Sequence, residues 1–310
     1  RTLDLDSTWY DAAYQKGCIL LRTRNFDEAI RSFDYALEHS PDFAQAHYHK
    51  GLALQALGKF EKAIRSYKQA LTQDTSIIDA VFQTGVCYAG LGKTENALKA
   101  FNRMLELTPS SFTVLSEKSR ALAKLSRNDE ALATINTALN LENNDAGIWV
   151  LHGSVLYDLG KLEETLESFD RAIALTPDAA APWYLKGRSL AELSRYQDAI
   201  PCFDAVLKID ETCAGAWMRK GSAQLSLGQF EPAVTTLARA LELDPKNANG
   251  WYDQAIAFAE LGRYEEAVVS CDHAITINRK YTNAWYDKGL ALVHLGRDHD
   301  AIQAFENTSA

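Results

Sequence analysis

The sequence has few of the features that mark linkers or membrane segments. Only seven of its 310 residues are proline, and no stretch is rich in serine, glycine and proline together, which argues against a flexible linker. No apolar run is long enough to cross a bilayer, so a membrane is not the expected partner. The N-terminal RTLDLDSTWY lacks both an initiator methionine and the apolar core of a signal peptide, which suggests a segment of a longer protein.

Cysteines are few and scattered, and no two of them form a C-x-x-C pair. They are Cys18, Cys87, Cys202, Cys213 and Cys271. An odd, dispersed set predicts neither a disulfide framework nor a zinc site. We expect reduced thiols that pack as small apolar side chains, which favours a reducing compartment and hence a cytoplasmic protein.

Positive charge is also in short supply. The chain has 32 Lys and Arg against 41 Asp and Glu, a formal net charge of −9. Because proteins bind nucleic acid through basic faces that release counterions, nucleic acid is not the expected partner.

Motifs for catalysis are missing as well. The sequence has no G-x-x-x-x-G-K-[ST] phosphate loop and no G-x-S-x-G motif. His294, Asp298 and His299 are close in sequence, but His294 belongs to the end of one predicted helix and the others to the start of the next. We therefore expect no enzyme activity, no cofactor and no metal.

A repeat with a period of 34 residues runs through the sequence. AWYDKGLALVHLGRDHDAI (284–302) follows GWYDQAIAFAELGRYEEAV (250–268) at that offset. At the same step one column reads Gly17, Gly51, Gly85, Ser119, Gly153, Gly187, Gly221, Ala255 and Gly289. A second reads Ala29, Ala63, Ala97, Ala131, Thr165, Ala199, Ala233, Ala267 and Ala301, and a third reads Phe33, Tyr67, Phe101, Ile135, Phe169, Phe203, Leu237, Cys271 and Phe305. Nine copies without insertion or deletion indicate repeated structural units.

Each copy predicts a pair of helices. Apolar residues recur at helical spacing up to Gly296, which can adopt the left-handed conformation that ends a helix. In the preceding copy, Glu265 and Glu266 fall in the first turn of the second helix, where the helix dipole favours acidic side chains. We expect Gly289 and Ala301 to face each other where the two helices cross closely, and the aromatic column to fill the seam between copies.

This helix–turn–helix unit resembles the tetratricopeptide repeat (TPR). Its tryptophan column is Trp149, Trp183, Trp217, Trp251 and Trp285. The resemblance implies an all-α fold, a right-handed superhelical α-solenoid of antiparallel helix pairs, with residues 1–310 as a single array. The repeats are expected at about 10–43, 44–77, 78–111, 112–145, 146–179, 180–213, 214–247, 248–281 and 282–310, with residues 1–9 as the tail of a preceding repeat.

The resemblance also implies a concave groove, lined by the first helices, that holds a peptide of a partner protein. The fifth position of the first helix forms a mostly aromatic column along it. The groove residues expected from this register are Tyr14, Tyr48, His49, Phe82, Arg120, Asp158, Tyr184, Arg188, Glu192, Met218, Arg219, Tyr252, Asp253, Glu260, Tyr286 and Asp287.

Charge is unevenly distributed among these groove positions. The second half has the acidic residues Asp158, Glu192, Asp253, Glu260 and Asp287, with Arg188 and Arg219 as the basic ones. The first half has Arg22, His49, Arg120 and Lys124, with Asp11 and Asp79 as the acidic ones. A groove of one sign concentrates partners of the opposite sign, so we expect a basic or amphipathic peptide. The Lys-and-Asn clamp with which TPR adaptors hold a chaperone C-terminus is absent from these columns, as is the Asn ladder of the O-linked GlcNAc transferase.

We therefore predict a scaffold that binds a segment of a partner protein. Two alternatives remain open: a regulatory or targeting domain of a larger multidomain protein, and a module that self-associates end to end through uncapped termini. The fourth copy departs most from the pattern, because Ser119 and Ser126 replace glycines and Asn143 replaces a proline. We expect a less sharp helix end there, and the lowest local stability over residues 116–144.

Overall fold

A computed structural model describes residues 3–309 of the chain and the side chains of residues 9–308. Within this range the polypeptide forms eighteen α-helices, one short 3₁₀ helix and no strand. Its Cα positions divide into two compact units, unit 1 (Arg1–Asn144) and unit 2 (Asp145–Ala310). The all-α prediction is confirmed, and the boundary between the units falls at the end of the fourth sequence repeat.

The helices follow one another in pairs, a first and a second helix for each repeat. In unit 1 they are α1 (Leu3–Arg22), α2 (Phe26–His39), α3 (Ala44–Ala56), α4 (Phe60–Gln73), α5 (Asp79–Gly90), α6 (Thr94–Leu107), α7 (Phe112–Lys124) and α8 (Asn128–Leu141). In unit 2 they are α9 (Ala146–Asp158), α10 (Leu162–Leu175), α11 (Ala180–Glu192), α12 (Tyr196–Ile209), α13 (Ala214–Ser226), α14 (Phe230–Leu243), α15 (Ala248–Glu260), α16 (Tyr264–Ile277), α17 (Thr282–His294) and α18 (Asp298–Glu306), followed by the 3₁₀ helix Asn307–Ser309.

The first helix α1 differs from the expectation for residues 1–9. It runs without a break from Leu3 to Arg22, although the repeat register places the end of a preceding repeat within residues 3–9. Ser7 stands where Pro245 stands in a later repeat, but Thr75, Asn143, Glu211 and Arg279 occupy the same position and the helices before them still end. The missing proline therefore does not explain the unbroken helix. Residues 1 and 2 of the expected tail lie outside the described residues.

Left-handed residues end the first helices, as the glycine spacing predicts. Gly296 has a φ of 71°; its N–H donates to the carbonyl of Val293 and the N–H of Arg297 to that of Leu292, at 3.0 and 2.9 Å. The other glycines with φ between 70 and 74° are Gly58, Gly92, Gly160, Gly228 and Gly262. They meet no steric cost in this conformation because they lack a Cβ atom.

Three repeats make the same turn without glycine. Arg24, Ser126 and Ser194 have φ values of 60, 58 and 57°. At Ser126 the two turn bonds measure 2.9 and 3.0 Å, so the expectation of a less sharp helix end there is wrong. Instead, a residue other than glycine in this left-handed conformation costs about 1–2 kcal/mol of backbone strain, because its Cβ atom crowds the following carbonyl.

The glycine of each first helix lies against the large side chain of the second helix. A Cβ atom at Gly153 would be 2.6 Å from Cε1 of Phe169. Gly17, Gly51, Gly85, Gly187 and Gly289 face their repeats' aromatic rings in the same way. The three atoms nearest to a Cβ placed on Gly289 belong to the ring of Phe305, one helical turn after Ala301, and the expected contact between Gly289 and Ala301 stays a prediction. The ring needs a flat backbone surface, which only a residue without a side chain leaves open.

A repeated ion pair joins neighbouring repeats. Lysine on a first helix contacts aspartate on the preceding second helix, at Lys186–Asp170 (2.5 Å), Lys220–Asp204 (2.7 Å), Lys288–Asp272 (2.6 Å) and Lys50–Asp34. The aspartates are about half-exposed, so each pair contributes roughly 0.2–1 kcal/mol. The pair recurs at these four interfaces and adds to the packing of one repeat on the next.

The tryptophan column closes the turn that precedes each first helix. Trp183, Trp217, Trp251 and Trp285 each donate an indole N–H to the carbonyl oxygen six residues earlier, at 2.8–3.0 Å. In the second repeat His47 occupies this position, and its Nε2 lies 2.9 Å from the carbonyl oxygen of Pro41. A ring nitrogen at this site therefore ties the turn to the helix in five repeats.

We expect the fourth repeat to exchange its amide hydrogens fastest. Two of its buried side-chain oxygens, Oγ of Ser116 and Oδ1 of Asn128, have no hydrogen-bond partner within the described residues, and such a group costs about 1–3 kcal/mol. Hydrogen exchange over residues 116–144 should be faster than over residues 82–110 of the third repeat. Ser116→Val should slow it, because Val150 occupies the equivalent position in the fifth repeat. Equal protection in the two repeats would contradict this expectation.

The cysteines are reduced, as the sequence predicts. All five cysteines are free thiols, and Cys87, Cys202 and Cys271 are buried. Burial raises the pKa of the Cys87 and Cys271 thiols to about 12, so both are protonated and pack as apolar groups, as predicted.

Among residues 3–309, every helix is too short or too polar to cross a bilayer.

Candidate functional site

The first helices of each unit form one continuous wall. In unit 1, α1 contacts α3, α3 contacts α5 and α5 contacts α7; in unit 2 the same holds along α9, α11, α13, α15 and α17. Side chains at equivalent positions of successive first helices therefore become neighbours. All sixteen predicted groove residues lie on these helices, five in unit 1 and eleven in unit 2.

The aromatic residues at the fifth position of the first helices pack against rings of the second helices. The ring centroids of Tyr48 and Tyr67 are 5.9 Å apart, those of Phe82 and Phe101 also 5.9 Å, and those of Tyr286 and Phe305 5.8 Å. Each pair stays within one repeat, so the ring completes the layer that begins with the glycine contact. Tyr286 nevertheless keeps about half of its surface exposed (52%), and it can contact a ligand.

In unit 1 the other predicted groove residues are engaged by near neighbours. The hydroxyl of Tyr14 lies 3.3 Å from Nδ1 of His49, and that nitrogen is 2.8 Å from the carbonyl oxygen of Gln45. Arg120 donates to Glu117 at 2.6 Å within the same helix. Among the predicted groove residues of unit 1, the charge of Arg120 is therefore balanced by Glu117.

In unit 2 hydrogen bonds run from one first helix to the next. Arg219 donates from Nε to the hydroxyl of Tyr184 at 3.0 Å, and Tyr252 donates its hydroxyl hydrogen to Asp287 at 2.7 Å. Both bonds span 35 residues, one repeat plus one position. These bonds link successive first helices. They also engage side chains that the sequence analysis had assigned to ligand binding.

Asp253 is not the free groove carboxylate that the sequence suggested. It is largely covered and accepts a hydrogen bond from the hydroxyl of Ser222 at 2.5 Å. Burial raises its pKa, against the lowering effect of that hydrogen bond. Asp253 is therefore easier to protonate than an exposed aspartate, and its carboxylate is already engaged by Ser222.

Three acidic groove residues are exposed and occupy the same position in their repeats. Asp158, Glu192 and Glu260 are the last residues of α9, α11 and α15. None of them forms an ion pair with another described residue. A helix C-terminus carries partial negative charge, so an acidic side chain there costs about 0.3–1 kcal/mol. Helix stability therefore does not explain this column.

The equivalent column in unit 1 has the opposite character. Its members are Arg22, Ala56, Gly90 and Lys124. Residues 1–144 contain 17 Lys and Arg and 17 Asp and Glu, whereas residues 145–310 contain 15 and 24, so the net charge of −9 belongs to unit 2. The acidic surface of the chain is concentrated where the exposed column lies.

A cleft of about 400 Å³ opens beside the last acidic residue of this column. Glu260 and Asp287 line it together with Ile256, Leu290 and His294. Leu290 is 41% exposed, so the cleft combines carboxylates with accessible apolar surface. This combination can accept a side chain with an apolar stem and a positive end, such as lysine or arginine.

Two further groove residues take part in packing. The guanidinium carbon of Arg188 lies 4.1 Å from the centre of the Tyr157 ring, a cation–π contact, while its buried Nε has no hydrogen-bond partner within the described residues. Met218 occupies the space above Gly250, where a Cβ atom would collide with the thioether. Neither side chain adds to the exposed acidic column.

The histidine and aspartate cluster near the C-terminus is placed as the sequence argued. His294 ends α17 and stacks on Tyr264 with ring centroids 4.3 Å apart, while Asp298 and His299 begin α18. Over residues 3–309, no group of three or more His, Cys, Asp or Glu side chains is arranged to hold a metal ion.

Sequence reasoning missed the partners of the groove residues. Tyr157 beneath Arg188 and Ser222 beside Asp253 carry no unusual local pattern. The repeat register held the only available signal, because Ser222 and Asp253 are 31 residues apart and the period is 34. Residues separated by nearly one period are neighbours across successive first helices.

The comparisons with known proteins agree with the helix pairs. The family model described as tetratricopeptide repeat matches seven overlapping segments: 14–76, 50–112, 82–148, 116–180, 150–212, 184–248 and 218–281. Among curated proteins, none matches this sequence.

Solved structures of repeat proteins share the fold at low sequence identity. YrrB, described as a TPR protein with an unusual peptide-binding site, is 22% identical, with 62% of this chain and 98% of that chain covered and a TM-score of 0.57. A TPR protein from Parabacteroides merdae is 18% identical over 81% of this chain and 99% of its own, with a TM-score of 0.60. The C-terminal part of a TPR protein from Cytophaga hutchinsonii is 12% identical over 76% and 97%, with a TM-score of 0.66.

These structures show the fold alone, whereas the family model covers most of the sequence. Its matches extend from residue 14 to residue 281, and the helix pairs continue in the same register to α18. The chain belongs to the tetratricopeptide repeat family.

Proposed function

We propose that this chain is a protein-interaction scaffold that binds a basic or amphipathic peptide segment on the wall of first helices in unit 2. The proposed contacts are the exposed carboxylates Asp158, Glu192 and Glu260, with Asp287, Leu290 and Tyr286 at one end. Family membership supports a scaffold that binds proteins. The description of YrrB as a peptide-binding TPR protein makes a peptide the natural ligand to test.

The position of the three carboxylates carries the proposal. Each is exposed at the C-terminal end of a first helix, where the helix dipole opposes it. A peptide with lysine or arginine at matching spacing would neutralise both the carboxylates and the helix ends. The preformed wall would limit the entropic cost of binding to the ordering of the peptide.

Neutralising the three carboxylates should weaken peptide binding without harming the fold. The variant is Asp158→Asn, Glu192→Gln and Glu260→Gln, and the probe is a labelled synthetic peptide of alternating Lys and Leu, followed by fluorescence anisotropy. We expect its Kd to rise at least about tenfold. The melting temperature should stay the same or rise slightly, because the substitutions remove charges that oppose the helix dipoles.

The control removes the same number of carboxylates from the starts of second helices instead of the ends of first helices. Glu163, Glu231 and Glu265 lie in the first turns of α10, α14 and α16. Their replacement by glutamine should change the Kd by no more than about twofold and should lower the melting temperature, since the dipole favours them. Equal loss of binding in both triple variants would show that net charge alone attracts the peptide, and would defeat the proposal.

A further inference from the structure

The interface between the second and third repeats lacks two features that recur between later repeats, as does the interface between the third and fourth, where Leu115 and Asn102 stand in the same two columns. Val81 stands where Trp183, Trp217, Trp251 and Trp285 stand in later repeats. Valine is smaller than an indole and has no N–H, so it neither fills the same volume nor closes the preceding turn.

The ion pair between repeats is also lost at this interface. In register, Thr84 replaces the lysine seen at Lys50 and Lys186, and Lys68 replaces the aspartate seen at Asp34 and Asp170. The hydroxyl of Thr84 donates to its own helix instead, to the carbonyl oxygen of Ala80 at 2.7 Å. Lys68 is thus a cation in the place of a carboxylate, with no acidic partner across the interface.

A cleft of about 320 Å³ lies at this interface, between α4, α5 and α6. Lys68, Lys99 and Arg103 surround it, and Leu71, Val81 and Tyr88 line it; no Asp or Glu is among its lining residues. All three cations are exposed. The ion pairs of unit 1 use Lys50, Lys59, Arg120 and Arg127, so these three form none among the described residues.

The basic surface continues along α4. Lys62, Arg65 and Lys68 follow one another at intervals of three residues, so each faces the same side as the next. Lys62 and Arg65 are exposed and line a second opening with Arg31 of α2; Asp27 and Asp34 also line this opening. Unit 1 is neutral overall, and this concentration of positive charge on its second helices is therefore local.

We propose that the cleft between the second and third repeats is a second binding site, which takes an acidic peptide segment carrying one bulky aromatic residue. The aromatic ring would enter the space that an indole fills in the later repeats. The flanking carboxylates would pair with Lys68, Lys99 and Arg103, the arrangement by which basic clusters recognise acidic motifs. An aromatic anchor in a pocket with charged residues at its rim is a typical distribution of binding energy.

This site is independent of the acidic wall in unit 2. It lies on a different unit, uses second helices as well as a first helix, and selects a ligand of opposite charge. Its test therefore has an outcome of its own, whatever the basic peptide does.

The first experiment fills the cleft. The probe is a short labelled peptide of Glu and Asp with one central Trp, titrated with the full chain at low salt and followed by fluorescence anisotropy. Val81→Trp, which introduces the side chain of the later repeats, should raise the Kd at least about tenfold. The same peptide with Ser in place of Trp should bind the original chain at least about tenfold more weakly.

The second experiment changes charge without filling space. Lys68→Asp combined with Thr84→Lys rebuilds the ion pair found between other repeats and should also raise the Kd at least about tenfold. Lys99→Asp, at an exposed position, tests the site even if a variant at Val81 does not fold. The matched control is Lys246→Asp, an exposed lysine in a turn of unit 2, which should leave the Kd within about twofold.

Four outcomes would overturn the proposal. They are an unchanged Kd in Val81→Trp with the fold intact by circular dichroism, equal losses in Lys99→Asp and Lys246→Asp, and displacement of the peptide by a single-stranded oligonucleotide with equal or higher affinity. The fourth is concentration-dependent association of the chain that Val81→Trp abolishes, because it would identify a second copy as the occupant.

Discussion

Gly153→Ser is expected to lower the free energy of unfolding of unit 2 by about 1–3 kcal/mol. A Cβ atom at Gly153 would lie 2.6 Å from the Phe169 ring, and that ring is 1% exposed, so it has no free space to move into. Either the ring leaves its rotamer or the two helices separate. Urea unfolding, monitored by circular dichroism, measures the loss.

A second substitution should recover most of that loss. The fourth repeat has Ser119 in place of the glycine and Ile135 in place of the aromatic residue, and both are fully buried. Oγ of Ser119 donates to the carbonyl oxygens of Leu115 and Ser116, each at 2.9 Å, so the hydroxyl is satisfied within its helix. Gly153→Ser with Phe169→Ile should therefore be more stable than Gly153→Ser alone.

The four members of this cycle give a coupling free energy. Phe169→Ile alone should be destabilising, because it leaves a gap above Gly153, and the double variant should be more stable than the sum of the single losses predicts. Additive effects would show that the glycine and the ring act separately, against the contact described here.

Pro201→Ala is expected to raise the free energy of unfolding of unit 2 by about 2 kcal/mol. Pro201 is the sixth residue of α12 and is exposed. It has no N–H to donate to the carbonyl of Gln197 one turn earlier. Proline inside a helix is about 3 kcal/mol less favourable than alanine, and the greater freedom of alanine in the unfolded chain returns up to about 1 kcal/mol of that gain.

The chain supplies a matched control for this prediction. Pro232 is also exposed, but it is the third residue of α14, where a backbone N–H has no carbonyl four residues earlier within the helix. Pro232→Ala should change stability by less than about 0.5 kcal/mol. Similar effects at the two prolines would mean that unfolded-chain freedom, rather than the missing hydrogen bond, decides the result.

Much of the fold could be predicted because the repeats share the same residues at their helix ends. A glycine at the position of Gly296 and acidic residues at the positions of Glu265 and Glu266 placed the helix ends correctly. The sequence paired Gly289 with Ala301 and did not foresee that the ring of Phe305 lies closest to Gly289. Periodicity gives the face on which a residue lies, but not which of several residues on the opposite helix it touches.

The candidate site was harder to predict, for a different reason. Register put Asp253 and Glu260 on the same wall, yet Ser222 and burial engage Asp253 while Glu260 stays exposed. Similarly, Arg219 is engaged by Tyr184 one repeat away. Whether a groove side chain is available to a ligand depends on its neighbours in adjacent repeats, and a column read down the sequence does not show these contacts.

The recurring pairs Lys186–Asp170 and Lys220–Asp204 make the joints on either side of the sixth repeat interchangeable. If residues 180–213 were excised, Trp217 and Lys220 would follow Asp170 at the separations that Trp183 and Lys186 now have. Gain or loss of one such 34-residue repeat, in frame, therefore keeps the same residues at the interface between the repeats that become neighbours. The junction between the second and third repeats has Lys68 and Thr84 in place of the aspartate and the lysine. Removing either of these two repeats would therefore not bring together the same pair of residues.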